Sequence, residues 1–209
     1  MEITSISQYK GTTYEVEIDG GRKLYLHIDI IADYGIRTGM QIERPELKKI
    51  IYASNFRRAY QYSLYCLDYR DYSAEELFEK LVKTYKNETL CLEVIRKLAA
   101  AGLINDRRYA EKLARKLVEV RKYGRRRAER EMLQKGLDSE TVRNALDIFE
   151  DVSAENLNEL INTKFSRFLT DISDRKSTEK AKNALVRLGY GFDEINTAVR
   201  NYYKEHEDS

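Results

Sequence analysis

One pattern recurs three times along this chain and constrains its fold more than any other feature. Ser73, Gly124 and Ser177 each mark a helix start. Four residues on stand Leu77, Ala128 and Ala181; eight on, Leu81, Met132 and Leu185; nine on, Val82, Leu133 and Val186. Those offsets place apolar side chains on one face of an α-helix. The helices that follow match as well, through Val94 and Leu98, Val142 and Leu146, Ile195 and Val199. Leu133-Gln-Lys-Gly136-Leu and Val186-Arg-Leu-Gly189-Tyr read as one helix C-cap used twice. Self-similarity at a period of about 50 residues means stacked units that share nearest-neighbour interfaces. The expected architecture is mainly α: three tandem three-helix repeats at 46–103, 104–151 and 152–209, in an elongated curved body. Ser73 followed by Glu76 forms a good capping box, whereas Ser177 before Lys180 is a degraded one.

Residues 1–45 differ and read as a small β-rich N-terminal domain. Thr13–Ile18 and Lys23–Ile28 alternate as strands do, and Asp19-Gly20-Gly21 between them supplies turn chemistry. Ile30 to Tyr34 suits a short helix closed by Gly35, and Met40–Glu43 a last short strand. Such a sheet needs another element to bury its face. Pro45 then opens the helical part, since its missing N–H is no loss at a helix start.

Composition excludes several classes. No apolar run approaches the roughly 20 residues of a membrane span, and MEITSISQYK lacks the basic and apolar regions of a signal peptide. Cys66 and Cys91 have neither metal nor redox spacing and read as ordinary thiols of a reducing compartment, with a structural disulfide as the minor reading, so a cytoplasmic protein is expected. His27 in a strand and His206 in an acidic tail read as surface or structural groups. Glycine-rich phosphate cradles are missing, and Gly189-Tyr-Gly191 is a helix end. The 35 acidic side chains are mostly solvated partners for the 37 basic ones. The expectation is no catalytic residue, no metal ligand and no cofactor.

Charge is distributed unevenly. Between Arg107 and Lys135 about twelve Lys/Arg face about four Glu, roughly +8 in a chain of net charge +2. Tyr109, Leu113, Leu117 and Val120 are expected to form the buried face, while Arg108, Lys112, Arg115 and Lys122 follow helical spacing on another face, with Glu119 in the same stripe. Arg126, Arg127 and Arg130 are expected outward on the next helix, while Arg107, Arg121 and Arg125 flank the break. One reading is a solvated, salt-bridged face. The other is a site for an acidic partner, because three consecutive arginines beside Arg121 and Lys122 exceed what Glu129 and Glu131 can neutralise. The acidic end Glu205-His-Glu-Asp208 either frays or shields this ridge. Tyrosine is a second oddity, with 16 in all. Between Asn55 and Arg70, Phe56, Tyr60, Leu64 and Leu67 form one face, and Tyr62, Tyr65 and Tyr69 nearly the opposite one. The tyrosine side is expected to meet the β-rich unit or a neighbouring helix; base stacking and a protein contact are the alternatives.

Several of these pieces together resemble the RecX family of bacterial recombination regulators. They are Ser73-Ala-Glu-Glu-Leu-Phe-Glu-Lys-Leu81, Leu98-Ala-Ala-Ala-Gly-Leu-Ile-Asn-Asp-Arg-Arg-Tyr-Ala110, then Arg121, Gly124 and Glu131-Met-Leu-Gln-Lys-Gly-Leu137. The likeness is strong from Ser73 to Leu146 and weakens in the third repeat. Met132 stands where leucine is usual and Ala128 where a larger aliphatic is common, departures that bear on packing. The resemblance implies a non-enzymatic, monomeric protein of tandem three-helix repeats. It implies as partners RecA and its filament on single-stranded DNA, with inhibition of strand exchange, ATPase and coprotease activities, and a role in DNA repair and the SOS response. Weak direct nucleic-acid binding is compatible with it, whereas no membrane and no small-molecule substrate is implied. The partner-binding residues would be the basic ridge, Arg107, Arg108, Lys112, Arg115, Arg121, Lys122, Arg125, Arg126, Arg127 and Arg130. The rival reading is a sequence-neutral DNA-binding helical module acting without RecA.

Overall fold

A computed structural model describes residues 1–171 and 173–207; Asp208 of the acidic end lies outside them. The chain opens with three strands, β1 (Ile3–Lys10), β2 (Thr13–Ile18) and β3 (Arg22–His27), in an antiparallel sheet of order β1-β2-β3. The expected β2–β3 hairpin is present, with Val16 opposite Leu24. Strand β1 was not expected. Its register shifts between Ile3 and Ser5 and again between Gln8 and Lys10, and such bulges break the two-residue alternation by which a strand is read. Met40–Glu43 contributes only a single bridge, Glu2 to Gln41. The short helix α1 (Ile28–Asp33) is closed at Gly35, whose N–H donates to Ala32 O at 3.1 Å. His27 is structural: its Nδ1 accepts from Asp29 N–H at 3.2 Å and caps α1.

The rest is helical: α2 (Arg44–Tyr69), α3 (Ala74–Tyr85), α4 (Glu88–Ala100), α5 (Asp106–Arg115), α6 (Arg125–Leu133), α7 (Ser139–Asp147), α8 (Glu150–Leu160), α9 (Arg175–Leu188) and α10 (Phe192–Glu207). Both α5 and α8 run on into a π-helical turn, Lys116–Val120 and Ile161–Phe165. The chain forms two compact units. One comprises Met1–Arg70 with Leu77–Leu103, the other Asp71–Glu76 with Ile104–Ser209.

In the first unit the sheet packs Ile3, Val16, Ile18 and Leu26 against Ile30, Ile36, Ile42 and the start of α2 at Leu47 and Ile50. The expectation for the tyrosines holds for Tyr62, which meets α3, and fails for Tyr65 and Tyr69. Apolar packing against the sheet extends to Ala53 of α2, and Tyr65 lies ~18 Å further along the helix axis. Tyr65 and Tyr69 are 70% and 85% exposed, while Tyr62 sits beneath Lys80 Nζ, 5.8 Å from the ring centre. Lower on α2 the buried line is small, Ala59 and Ser63, which lets α4 approach closely. Lys97 of α4 then lies over the Phe56 and Tyr60 rings at 5.5 and 4.9 Å.

The second unit holds two distinct apolar clusters. One is built from α5, its π turn, α6 and α7, around Ala114, Leu117, Met132 and Val142. The other comes from α8, its π turn, α9 and α10, around Ile161, Phe165, Leu185 and Ile195. The repeated positions four and eight residues after each anchor are all buried, at no more than 1% exposure. The nine-residue offset fails, since Leu133 and Val186 are 42% and 41% exposed. Ser177 is also not a helix start. Asp174 caps α9, accepting from Ser177 N–H at 3.1 Å, so the anchor was read three residues late.

Helices α6 and α9 meet end to end. Gly124 N–H at the start of α6 donates to Leu188 O at 2.9 Å, and Arg126 N–H donates to Gly189 O at 3.1 Å. The unpaired N–H groups of one helix thereby satisfy the unpaired carbonyls of another, and the negative end of one dipole meets the positive end of the other. The C-cap of α6 meets the start of α3 in a similar way. Gly136 packs on Glu75, Ser73 Oγ donates to Lys135 O, and Lys135 Nζ reaches Glu76 at 3.1 Å. The shared C-cap is thus confirmed: Gly136 and Gly189 both have positive φ, and both donate to the carbonyl three residues back at 2.9 Å.

Candidate partner-binding surface

The basic ridge rises from α5 through its π turn into α6. Cross-helix carboxylates quench much of it. Lys112 pairs with Asp71 at 3.1 Å, Arg121 with Glu131 at 3.3 Å, Arg125 with Asp147, and Lys122 with Glu159. Arg107 and Arg115 have neighbours one turn on, Glu111 at 3.4 Å and Glu119 at 4.0 Å. Exposed pairs of this kind contribute little to stability, but they lower the field that a partner meets. Counting Glu129 and Glu131 alone missed Asp71, Asp147 and Glu159, which only the fold brings near.

Two ridge residues are built into the α6–α9 junction. Arg127 was expected outward; instead it is half-buried, with its guanidinium 3.9 Å from the Tyr123 ring centre. It donates to Tyr123 OH at 3.0 Å, Arg187 O at 3.3 Å and Glu131 Oε1 at 3.3 Å. Lys122 adopts a left-handed backbone, φ 51, and its carbonyl accepts from Tyr190 OH at 3.1 Å. Burial, and then the charges of Glu194 and Glu159, push the Tyr190 phenol well above its ordinary range, so it stays a donor. Asn156 completes this corner: its Nδ2 donates to Val118 O in the π turn at 3.0 Å, where the widened helix frees a carbonyl.

Three arginines of the ridge remain exposed with no carboxylate in salt-bridge range among the described residues: Arg108 on α5, and Arg126 and Arg130 one turn apart on α6. Lys116 is exposed in the same way. Helical spacing from Lys112 could have added it to the ridge. Guanidiniums left free of carboxylates suit bidentate contacts to carboxylate or phosphate.

A family model described as RecX, second three-helix domain, matches residues 105–146, which span α5 to α7. Regulatory protein RecX of Bacillus velezensis is 25% identical over 210 residues, covering 99% of this chain and 79% of the relative. Regulatory protein RecX of Clostridioides difficile is 26% identical, with 92% of each chain covered. A crystal structure of regulatory protein RecX superposes with a TM-score of 0.71 at 21% identity, over 94% of this chain and 98% of that one. The chain is thus similar to regulatory protein RecX over nearly its whole length and carries the match to the RecX second three-helix domain at residues 105–146. A second RecX crystal structure, from Lactobacillus salivarius, gives a TM-score of 0.65 at 27% identity over 71% of this chain and 97% of that one.

The run Leu98 to Ala110, which resembles RecX, is architectural. Gly102 closes α4 with its N–H on Ala99 O at 2.9 Å, and Leu103 N–H returns to Leu98 O at 3.0 Å. Asn105 caps its own helix, accepting from Arg108 N–H at 2.9 Å. Asp106 reaches away instead and accepts from Ala74 N–H at the start of α3, at 2.9 Å. Burial holds the Asp106 carboxyl above the usual aspartate range, against the lowering effect of that N–H. Cys66 and Cys91 are free and buried, and burial raises the Cys91 thiol. No helix among the described residues is long and apolar enough to cross a membrane.

Proposed function

We propose that this chain regulates homologous recombination and DNA repair by binding the RecA nucleoprotein filament and inhibiting its recombinase, ATPase and coprotease activities. It acts in the cytoplasm as a monomer, without catalysing a reaction itself. The observation that carries this reading is the free guanidinium set Arg108, Arg126 and Arg130 on a chain similar to regulatory protein RecX. The repeats 46–103, 104–151 and 152–209 would each engage the filament and bridge neighbouring protomers, obstructing subunit addition. The α9–α6 junction supports the division between the second and third repeats, since backbone hydrogen bonds join them there. The ridge supplies steering and orientation more than raw affinity, and salt weakens it.

The second reading, a DNA-binding module acting without RecA, draws on Tyr65 and Tyr69, which present open rings for base stacking. One experiment separates the two. Binding to the cognate RecA filament on single-stranded DNA is measured beside the same DNA alone, with ATP turnover followed in the filament sample. Tight filament binding with reduced turnover and weak binding to bare DNA supports the filament regulator. Equal binding to both, with turnover untouched, overturns it. Replacing Arg108, Arg126 and Arg130 by Glu is expected to weaken filament binding by at least tenfold without unfolding the chain. Arg127 is left in place because its loss would disturb the α6–α9 junction, and unchanged affinity of the triple variant would remove the ridge from the mechanism.

A further inference from the structure

The second unit carries a surface opposite in character to the ridge. A cleft of about 500 Å³ runs between α8 and α10, with Leu146, Phe149, Leu157 and Ala198 among its apolar lining. That volume accommodates a few side chains of a partner. Its charged lining is acidic: Glu150, Asp193 and Glu194 stand against the single cation Arg125, which Asp147 already engages. Glu194 also accepts from Gly191 N–H at 2.7 Å. Glu150 and Asp193 are exposed and have no cationic partner among the described residues. Tyr190, whose phenol is raised by burial first and by Glu194 next, also lines the cleft.

An apolar floor under an acidic rim selects its occupant on two counts. The floor gains from burying a large aliphatic or aromatic side chain. The rim attracts cations and repels acidic segments. The chain's own end, with Glu205, Glu207 and Asp208, has the wrong sign to fill it. The geometry points to a docking cleft for a basic segment of a partner protein, in which a large apolar residue flanked by Lys or Arg inserts between α8 and α10. This goes beyond the filament reading: the ridge meets acidic groups, whereas the cleft takes a basic peptide and does so whether or not a filament is present.

The test pans a displayed library of random twelve-residue peptides against the immobilised full chain and measures enriched peptides in solution by fluorescence anisotropy. The expected consensus is a large apolar residue beside Lys or Arg. Thr197→Trp, which fills the cleft from its exposed rim, should weaken the binding at least tenfold. Glu150→Gln with Asp193→Asn should weaken it at least threefold and flatten its dependence on salt. Both acids stand in the first turn of their helices, where they also complement the dipole, so circular dichroism must show that each variant is folded. If Thr197→Trp does not fold, the neutralised pair decides. No enrichment, an acidic consensus, or affinities that neither variant changes would overturn the cleft. Concentration-dependent self-association abolished by Thr197→Trp would assign it to a second copy of the chain and overturn the peptide occupant.

Discussion

The two helix junctions of the second unit do the same work by different chemistry. Where α6 meets α3, side chains satisfy the helix start: Ser73 Oγ accepts from Glu76 N–H at 3.0 Å and Asp106 from Ala74 N–H at 2.9 Å. Where α9 meets α6, backbone does it directly, with Leu188 O and Gly189 O taking the N–H groups of Gly124 and Arg126. Side-chain capping leaves room for a serine at the start of α3. Backbone capping leaves none at the start of α6, since a Cβ on Gly124 would lie 2.5 Å from both Gly189 C and Tyr190 N. The glycine that looks like a poorer N-cap than serine is therefore the residue the tighter junction requires. The start of α9 is capped by its own Asp174, so that helix end needs no neighbour.

The largest effects should fall on the backbone junction. Gly189→Ala combines a left-handed φ of 99 with a Cβ 2.4 Å from Arg127 Cβ and 2.5 Å from Arg127 N. Overpacking and the left-handed strain together should cost about 3 kcal/mol or more. Gly124→Ser sharpens the comparison, because serine is a favourable cap in isolation yet should destabilise here by about 2–3 kcal/mol. At the side-chain junction Gly136→Ala meets mainly the Glu75 side chain, 2.7 Å away at its Cβ, at a φ of 74; it should cost only about 1–2 kcal/mol. Urea unfolding of the three variants checks the order, and a Gly124→Ser chain as stable as the parent would break the distinction.

A middle effect concerns Asp106. Asp106→Ala removes the acceptor for Ala74 N–H and should cost about 1 kcal/mol, whereas Asp106→Asn keeps an acceptor and removes a half-buried charge. The folded-state carboxyl is raised by burial, so its contribution is full below the ordinary aspartate value of about 3.9 and is lost as pH rises through the raised value. Relative to Asp106→Asn, the parent should therefore lose stability between pH 4 and pH 7. Urea midpoints of the pair at both pH values test this, and a difference that moves the other way would show that the N–H bond outweighs burial.

The smallest effect has the opposite sign. Asp138 and Asp174 cap α7 and α9, and their hydrogen bonds to Thr141 and Ser177 lower both carboxyls. Their contribution is present above the ordinary aspartate value and is lost as pH falls through the lowered one. A double Asp138→Asn, Asp174→Asn chain keeps both caps, so its thermal midpoint should fall less steeply than the parent's from pH 5 to pH 3. Equal slopes would show that these caps do not set the acid limit.

Helical periodicity by itself determined that the chain is mainly α and which positions are buried four and eight residues after each anchor. It also located Gly136 and Gly189 as C-caps, because these are local consequences of turn geometry and apolar spacing. The strand β1 stayed hidden since its bulges erase the alternation, and the start of α9 was misplaced because Ser177 and Asp174 are equally plausible caps to a reader of sequence. Only tertiary structure decided the fate of the basic ridge. Asp71, Asp147 and Glu159 quench Lys112, Arg125 and Lys122 across helices, Arg127 turns inward onto Tyr123, and Arg108, Arg126 and Arg130 are left exposed without a carboxylate in salt-bridge range among the described residues. Charge counted along a chain sums neighbours in sequence, whereas a Coulomb field sums neighbours in space, and only the folded chain says which those are.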